Sequence, residues 1–334
     1  MRIAVLGTTP MTEMCITEFL GNGWEVAAVV SMPKDKCPLN SINLKEVSDA
    51  VGAVYYETDD LNGDGAERFL RDLGLDYIFS PWPYIIKENI LGIPKYLVIG
   101  SHPTQLPHNK GRHPLHWLIS QGIKESCMSF FAMDSGVDSG NILIQEKFSC
   151  VYELGIQDVY RNMLEACRHA IGRLCKLLQQ DPMYRGVEQN SAEGNYWRKR
   201  NIFDVMIDFR MKAQDIVQLV KSFNEPYECA VLLYNNHMVR IKDAEIAPYL
   251  GEREEIQRLE PGKIISIESG CIKVKTADEI IQLETKEPEE MGDVGFGKYI
   301  YPPAKYIIDH PGLYQMILEK QNAKAFWLIR EKEN

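Results

Sequence analysis

The first eighty residues alternate between short β-type runs and helically spaced segments, and this alternation restricts the fold more than any other feature of the chain. The apolar run Arg2 to Leu6 stops at Gly7-Thr8-Thr9-Pro10, and Met11 to Leu20 then has helical spacing. The pattern repeats with Trp24 to Val30 as strand, Leu44 to Val51 as helix, Val54 to Tyr56 as strand, Ala66 to Leu73 as helix and Tyr77 to Ser80 as strand. Strands separated by helices build a mostly parallel sheet with helices on both faces. Leu97-Val98-Ile99 reads as a further buried strand. It ends at Gly100-Ser101-His102-Pro103, beyond the carboxyl end of the strand, where open α/β sheets keep their ligands.

Past this point a helix is expected from Pro114 to Gly122. Two strands follow, Met128 to Met133 and Ile142 to Phe148, joined by the turn-rich loop Asp134-Ser135-Gly136-Val137-Asp138-Ser139-Gly140. An amphipathic helix from Gln157 to Leu178 closes a first domain at residues 1–180. The polar stretch 181–200 reads as a linker. A helix from Ala213 to Phe223 and short β runs at Ala230 to Tyr234, Met238 to Ile241, Gly262 to Ile267, Cys271 to Thr276 and Ile280 to Glu284 suggest a small barrel over 201–290. The extension 291–334 carries a last helix, Gly312 to Ile329. A homodimer through that helix is conceivable, although an amphipathic helix more often packs on its own chain.

The whole-chain properties narrow the function classes. A formal charge of -10 argues against a nucleic-acid surface, which normally needs a basic face. The basic cluster Trp197-Arg198-Lys199-Arg200 is read as a solvated run in the linker. No apolar stretch reaches the roughly 20 residues needed to span a bilayer. The eight cysteines include no Cys-x-x-Cys pair, which fits reduced thiols and a cytoplasmic location.

Four of the seven histidines, His102, His108, His113 and His116, fall within fifteen residues. A zinc site would need further ligands that no His-Glu-x-x-His or cysteine pair supplies. Gly7-Thr8-Thr9-Pro10 lacks the glycines of a dinucleotide turn, and no Gly-x-Ser-x-Gly elbow is present. Three segments together resemble the family of formyltransferases that use formyl-tetrahydrofolate: Gly7-Thr8-Thr9-Pro10, His102 to Pro107 with Lys110-Gly111, and Gly136 to Gly140 with Ile142-Leu143. That family has a catalytic Asn-x-His on its fifth strand and an Asp on a later loop. Here His102 and Asp138 are 36 residues apart, as the resemblance leads one to expect.

The resemblance implies a Rossmann-like α/β formyltransferase fold, mostly parallel, followed by a small open barrel-like domain. It implies N10-formyltetrahydrofolate as co-substrate, with no metal. His102 would stabilise the oxyanion of a tetrahedral intermediate and move a proton, and Asp138 would orient the imidazole, favour its charged form and assist deprotonation of the amine. The pterin would lie against Trp82, Tyr84, Ile85 and Ile86 and against Ser135 and Val137, although Trp82-Pro83-Tyr84 reads equally as a rigid proline turn. One departure stands out: Gly100 occupies the position of the family's Asn, so either a backbone N–H, a water or a side chain such as Ser101 or Asn109 replaces that donor, or the protein is a weak enzyme or an inactive relative.

Three acceptors are natural to such enzymes: methionyl-tRNA, glycinamide ribonucleotide and a nucleotide-linked amino sugar. From Arg200 onward the chain has 18 basic and 23 acidic residues, a poor surface for tRNA. Lys110-Gly111-Arg112-His113-Pro114-Leu115-His116-Trp117 resembles sugar N-formyltransferases of the pseudaminic acid type. The expected acceptor is therefore a UDP-linked 4-amino-4,6-dideoxy sugar, contacted by Thr104, Lys110, Arg112 and His113. A packing role for Lys110 and Arg112 is equally open. The alternatives are a methionyl-tRNA formyltransferase or a non-catalytic folate or nucleotide-sugar binding module.

Overall fold

The computed structural model describes residues 1–322 apart from 39, 153–154, 225–226, 249–252, 269, 289–293 and 296. The first domain contains β1 (Arg2–Leu6), α1 (Pro10–Gly21), β2 (Glu25–Ser31), α2 (Leu44–Val51), β3 (Val54–Glu57), α3 (Asp64–Arg71), β4 (Tyr77–Ser80), α4 (Glu88–Leu91) and β5 (Leu97–His102). After these come β6 (Lys110–Gly111), α5 (Pro114–Ser120), β7 (Glu125–Ala132), β8 (Ile142–Ser149) and α6 (Ile156–Gln180). Seven strands form one sheet in the order β3-β2-β1-β4-β5-β7-β8. The pairs from β3 to β5 are parallel, and β7 and β8 add an antiparallel edge.

Both faces of this sheet are covered, so its strands are apolar on both sides. Ile3, Val5, Tyr77, Phe79, Leu97 and Ile99 pack with α1 and α6. Ala4, Leu6, Ile78 and Val98 pack with α3 and α4 through Leu70 and Ile90. α6 is 25 residues long and buries the stripe Val159, Met163, Ala166, Ala170 and Leu174, as its 3.6-residue spacing requires.

The segment 181–200 does more than join two domains. Its β9 (Tyr196–Trp197) pairs with β6 of the first domain. The second domain comprises α7 (Ala213–Ser222), β10 (Ala230–Tyr234), β11 (His237–Ile246), α8 (Arg253–Gln257), β12 (Ile264–Glu268), β13 (Cys271–Lys275), β14 (Ile280–Thr285), α9 (Pro303–Asp309) and α10 (Pro311–Asn322). Its five strands form an antiparallel sheet, β10-β11-β14-β13-β12. On α10, Leu313 and Ile317 are buried in this domain's own core, so the helix packs on its own chain. The expected continuation to Ile329 lies outside the described residues. No helix among the described residues is long and apolar enough to cross a membrane.

The domains meet where α5 packs on α7. There the Arg200 guanidinium lies 4.6 Å from the Trp117 ring and 4.3 Å from the Phe223 ring, and it donates to the Asp204 carbonyl at 3.0 Å. His116 stacks on Phe223 with ring centroids 4.5 Å apart, and its Nδ1 donates to the Ser222 carbonyl at 2.6 Å. Burial pushes the pKa of His116 down to about 3, helped by His113. The pKa of His113 also falls to about 3, through burial and then the neighbouring Arg112, Lys199 and Arg200.

Both rings are thus neutral in the native state, whereas the unfolded chain takes up their protons near pH 6.5. The resulting stabilisation is complete above about pH 6.5 and is lost as the pH falls toward 3, by roughly 1 to 2 kcal/mol per histidine between pH 7 and 5. Denaturant melts at pH 7 and 5 should show this loss, and His116→Phe should flatten the dependence. Equal pH dependence in the two proteins would refute the assignment.

Candidate active site

Strand alternation and register decide which side chains converge. Ser80 pairs with Gly100, Gly100 with Phe131, and His102 with Ser129. With a period of two, Ser80, Gly100 and His102 share the α3/α4 face of the sheet. Ser101 points to the α1/α6 face, opposite His102. Ser101 therefore cannot replace the missing amide, which corrects its assignment as a catalytic candidate.

His102 is buried, with a side chain 6% exposed, and its Nδ1 lies 3.5 Å from Asp138 Oδ2. Its Nε2 donates to the Asn109 carbonyl at 2.9 Å. Nε2 is thus engaged by the protein, whereas the Nδ1 contact is longer than the roughly 2.7–2.9 Å of a tight charge-assisted hydrogen bond. Nδ1 thus faces the Asp138 carboxylate. Behind the histidine, Gln145 donates to Ser129 Oγ at 2.9 Å and to the Leu106 carbonyl at 3.1 Å. Ser129 donates to the Thr104 carbonyl, and Thr104 to the His108 carbonyl at 2.9 Å. This buried network fixes the loop that accepts from Nε2.

Asp138 has the left-handed φ of 50°, a conformation that costs a non-glycine residue about 1 kcal/mol or more. Its Oδ2 accepts from the Gly111 N–H at 2.9 Å. Gly111 has φ 103°, and a Cβ there would lie 2.4 Å from the Trp197 carbonyl oxygen. Only glycine permits both the β6–β9 pairing and this donation.

The structure redistributes several expected roles. Thr104 is fully buried and holds the His108 turn, so it does not line a substrate surface. His113 lies at the domain junction, where Arg200 N donates to its Nδ1 at 3.4 Å; it too is removed from substrate binding. Arg112 donates to the Pro83 carbonyl at 2.9 Å and so ties the turn after β4 to the segment after β6. Lys110 is buried, its Nζ 5.4 Å from the Tyr196 ring. In the turn after β4, Tyr84 and Ile85 are exposed while the Ile86 side chain is in the core, and Trp82 packs partly against that core. Ser135 and Val137 are exposed on the Asp138 loop. Among the described residues no group of three or more His, Cys, Asp or Glu is placed to hold a metal ion.

Two residues of the 181–200 segment were invisible to pattern analysis. Asn195 Oδ1 accepts from Asn109 N at 2.9 Å. Gln189 Nε2 donates to the carbonyls of Asp138 at 2.9 Å and Gly140 at 2.7 Å.

The formyl transferase model matches residues 1–173, and the model of the formyl transferase C-terminal domain matches residues 203–294. The chain belongs to the formyl transferase family. It is a one-carbon transferase. The methionyl-tRNA formyltransferase of Clostridium tetani is 29% identical over 303 residues, covering 86% of this chain and 94% of that protein. That of Clostridioides difficile is 23% identical over 306 residues, covering 90% and 96%. Among solved structures, the sugar 3N-formyl transferase WlaRD, determined with dTDP and 5-N-formyl-THF, superposes with a TM-score of 0.62 at 17% identity, covering 86% of this chain and 98% of that one.

These findings overturn the expectation of a nucleotide-linked amino sugar in a pseudaminic acid pathway, and with it the expectation that nucleic acid is no partner. Sequence relatives that match both domains are named for methionyl-tRNA, whereas the likeness to the sugar enzyme, at 17% identity, shows the fold alone. Net charge misled because it sums the whole surface. A polyanion responds to where charge lies on the surface rather than to its sum.

Gly100 is structurally committed. A Cβ there would lie 2.6 Å from Phe131 Cζ and 2.8 Å from Met133 Cγ, so the volume an asparagine would need is filled by apolar side chains. Gly100→Asn should destabilise the protein by about 1 to 3 kcal/mol through overpacking without raising turnover. Chemical denaturation together with initial rates measures both; a stable, faster variant would contradict this reading.

Proposed function

We propose that this chain moves the formyl group of N10-formyltetrahydrofolate to the amino group of methionyl-tRNA, with His102 and Asp138 as the reacting pair. The observation that carries the acceptor is the alignment of both domains with methionyl-tRNA formyltransferases, over 86% of this chain and 94% of the Clostridium tetani enzyme. The pterin is placed beside the exposed turn at Tyr84 and Ile85 and the loop at Ser135 and Val137. Exposed Lys199, and Arg198, which is ion-paired with Asp204, lie beside the β6–β9 pair and are the basic side chains offered to the tRNA.

In the transfer, the amine nitrogen attacks the formyl carbon and the carbonyl oxygen becomes an oxyanion. The Asp138 carboxylate takes up the proton released by the amine, and the His102 Nδ1–H stabilises the oxyanion. Collapse of the intermediate breaks the bond from carbon to N10 as His102 passes its Nδ1 proton to N10, giving tetrahydrofolate and the formylated amine, and the proton held by Asp138 returns to Nδ1. Since Gly100 provides no amide, His102 carries the oxyanion without the second donor, a loss of about 3 kcal/mol of transition-state stabilisation relative to a site that has it.

Incubation with N10-formyltetrahydrofolate and methionyl-tRNA, followed by mass analysis of the released amino acid, should show N-formylmethionine. His102→Ala should lower turnover by about 100-fold or more. The apparent affinity for the tRNA should weaken as salt rises. Absence of formylation by the folded wild-type protein would overturn the acceptor, and undiminished turnover in His102→Ala would overturn the mechanism.

A further inference from the structure

We propose that Gln189, in the segment between the domains, is a positioning residue that holds Asp138 in its reactive geometry, which makes this segment part of the active site. The inference rests on the reading of His102 and Asp138 as the reacting pair. The Gln189 side chain, from a residue only 8% exposed, crosses 51 residues of sequence to donate to the Asp138 carbonyl at 2.9 Å and the Gly140 carbonyl at 2.7 Å. Both partners can only accept, so the amide orientation is fixed, with both Nε2 hydrogens engaged. Its Oε1 is buried without a hydrogen-bond partner. The side chain is therefore held by its donor half alone.

One of those two bonds falls on a residue with a left-handed backbone. Asp138 has φ 50°, and no glycine relieves that conformation. The two carbonyls bracket the turn on which the carboxylate is mounted. Asp134 organises the opposite end of the loop, its Oδ1 accepting from Gly136 N at 3.0 Å and Ser139 Oγ at 2.7 Å. Without Gln189 the peptide after Asp138 is free to rotate toward a relaxed conformation, which swings the carboxylate away from His102 Nδ1 and Gly111 N. A displacement of about 1 Å in a reacting group can cost on the order of 100-fold in rate.

The test uses the full chain with Gln189→Leu, which keeps the volume and removes both donors, and Gln189→Asn, which keeps the amide but draws it back by one methylene. In Gln189→Leu, amide hydrogen exchange in residues 134–140 should rise about tenfold while exchange in β1 and β4 stays unchanged. Unaltered exchange in the loop would overturn the proposal whatever the acceptor. With N10-formyltetrahydrofolate and methionyl-tRNA, kcat should fall about 10- to 100-fold while KM for the folate shifts less than about threefold. Gln189→Asn should give a smaller loss of the same kind.

The discriminating measurement repeats Gln189→Leu in an Asp138→Asn background. If Gln189 acts through Asp138, the second substitution should lower kcat less than about threefold there. Equal losses in both backgrounds would show a merely structural role and overturn the proposal. If His102→Ala and Asp138→Asn both leave turnover intact, the reading of the pair itself fails. If they lower turnover sharply while Gln189→Leu leaves kcat unchanged, only the role of Gln189 fails.

Discussion

The hydrogen bond from the Gly111 N–H to Asp138 Oδ2 is the contact on which the rest of the site depends. It connects two loops 27 residues apart, and it can form only because Gly111 adopts a backbone conformation that also brings β6 against β9 of the following segment. The carboxylate is held from below by this donor while facing His102 Nδ1 at 3.5 Å. The parallel sheet delivers His102 at the end of β5, and the antiparallel excursion through β7 and β8 delivers the Asp138 loop. Neither element places the pair unaided: each ends in a loop whose backbone must be fixed by a polar partner supplied from elsewhere.

The asymmetry of the imidazole follows from the same arrangement. Nε2 is engaged by the Asn109 carbonyl, and that carbonyl is held by the Thr104, Ser129 and Gln145 network. Nδ1 is thereby left facing the carboxylate. Gly100 sharpens the consequence. The space two residues before the histidine is occupied by Phe131 and Met133, so the wall beside the reacting atoms is apolar where a donor would otherwise stand. Ser80, in register with Gly100, contributes a buried hydroxyl that has no hydrogen-bond partner, which underlines how little polar support that side of the site receives.

The strands and helices were legible in the sequence because they rest on local signals, and the proposed reacting pair was nominated on the same kind of signal. Period-two and 3.6-residue patterns marked β1 to β5 and α6, and the order of His102 and Asp138 with their flanking glycines marked the site. What was not legible depends on contacts distant in the chain. Gln189 and Asn195 lie in a polar stretch with no periodicity, and their partners are backbone carbonyls and an N–H that leave no compositional trace. Ser101 was misassigned because proximity in sequence to His102 is the opposite of proximity in a strand, where neighbours face apart. Thr104 and His113 were expected as substrate groups from the resemblance; Thr104 is buried beneath the His108 turn and His113 is engaged at the domain junction. The acceptor was misread because net charge carries no information about where charges lie.

The segment 181–200 gives the two-domain architecture a mechanical meaning. Within twenty residues it supplies Gln189 to the Asp138 loop, Asn195 to Asn109, the β9 pairing to β6, and Arg200 to the stack between Trp117 and Phe223. The first three contacts belong to the active site and the last to the packing of α5 on α7. The orientation of the second domain and the geometry of the reacting pair are therefore fixed by one continuous piece of backbone.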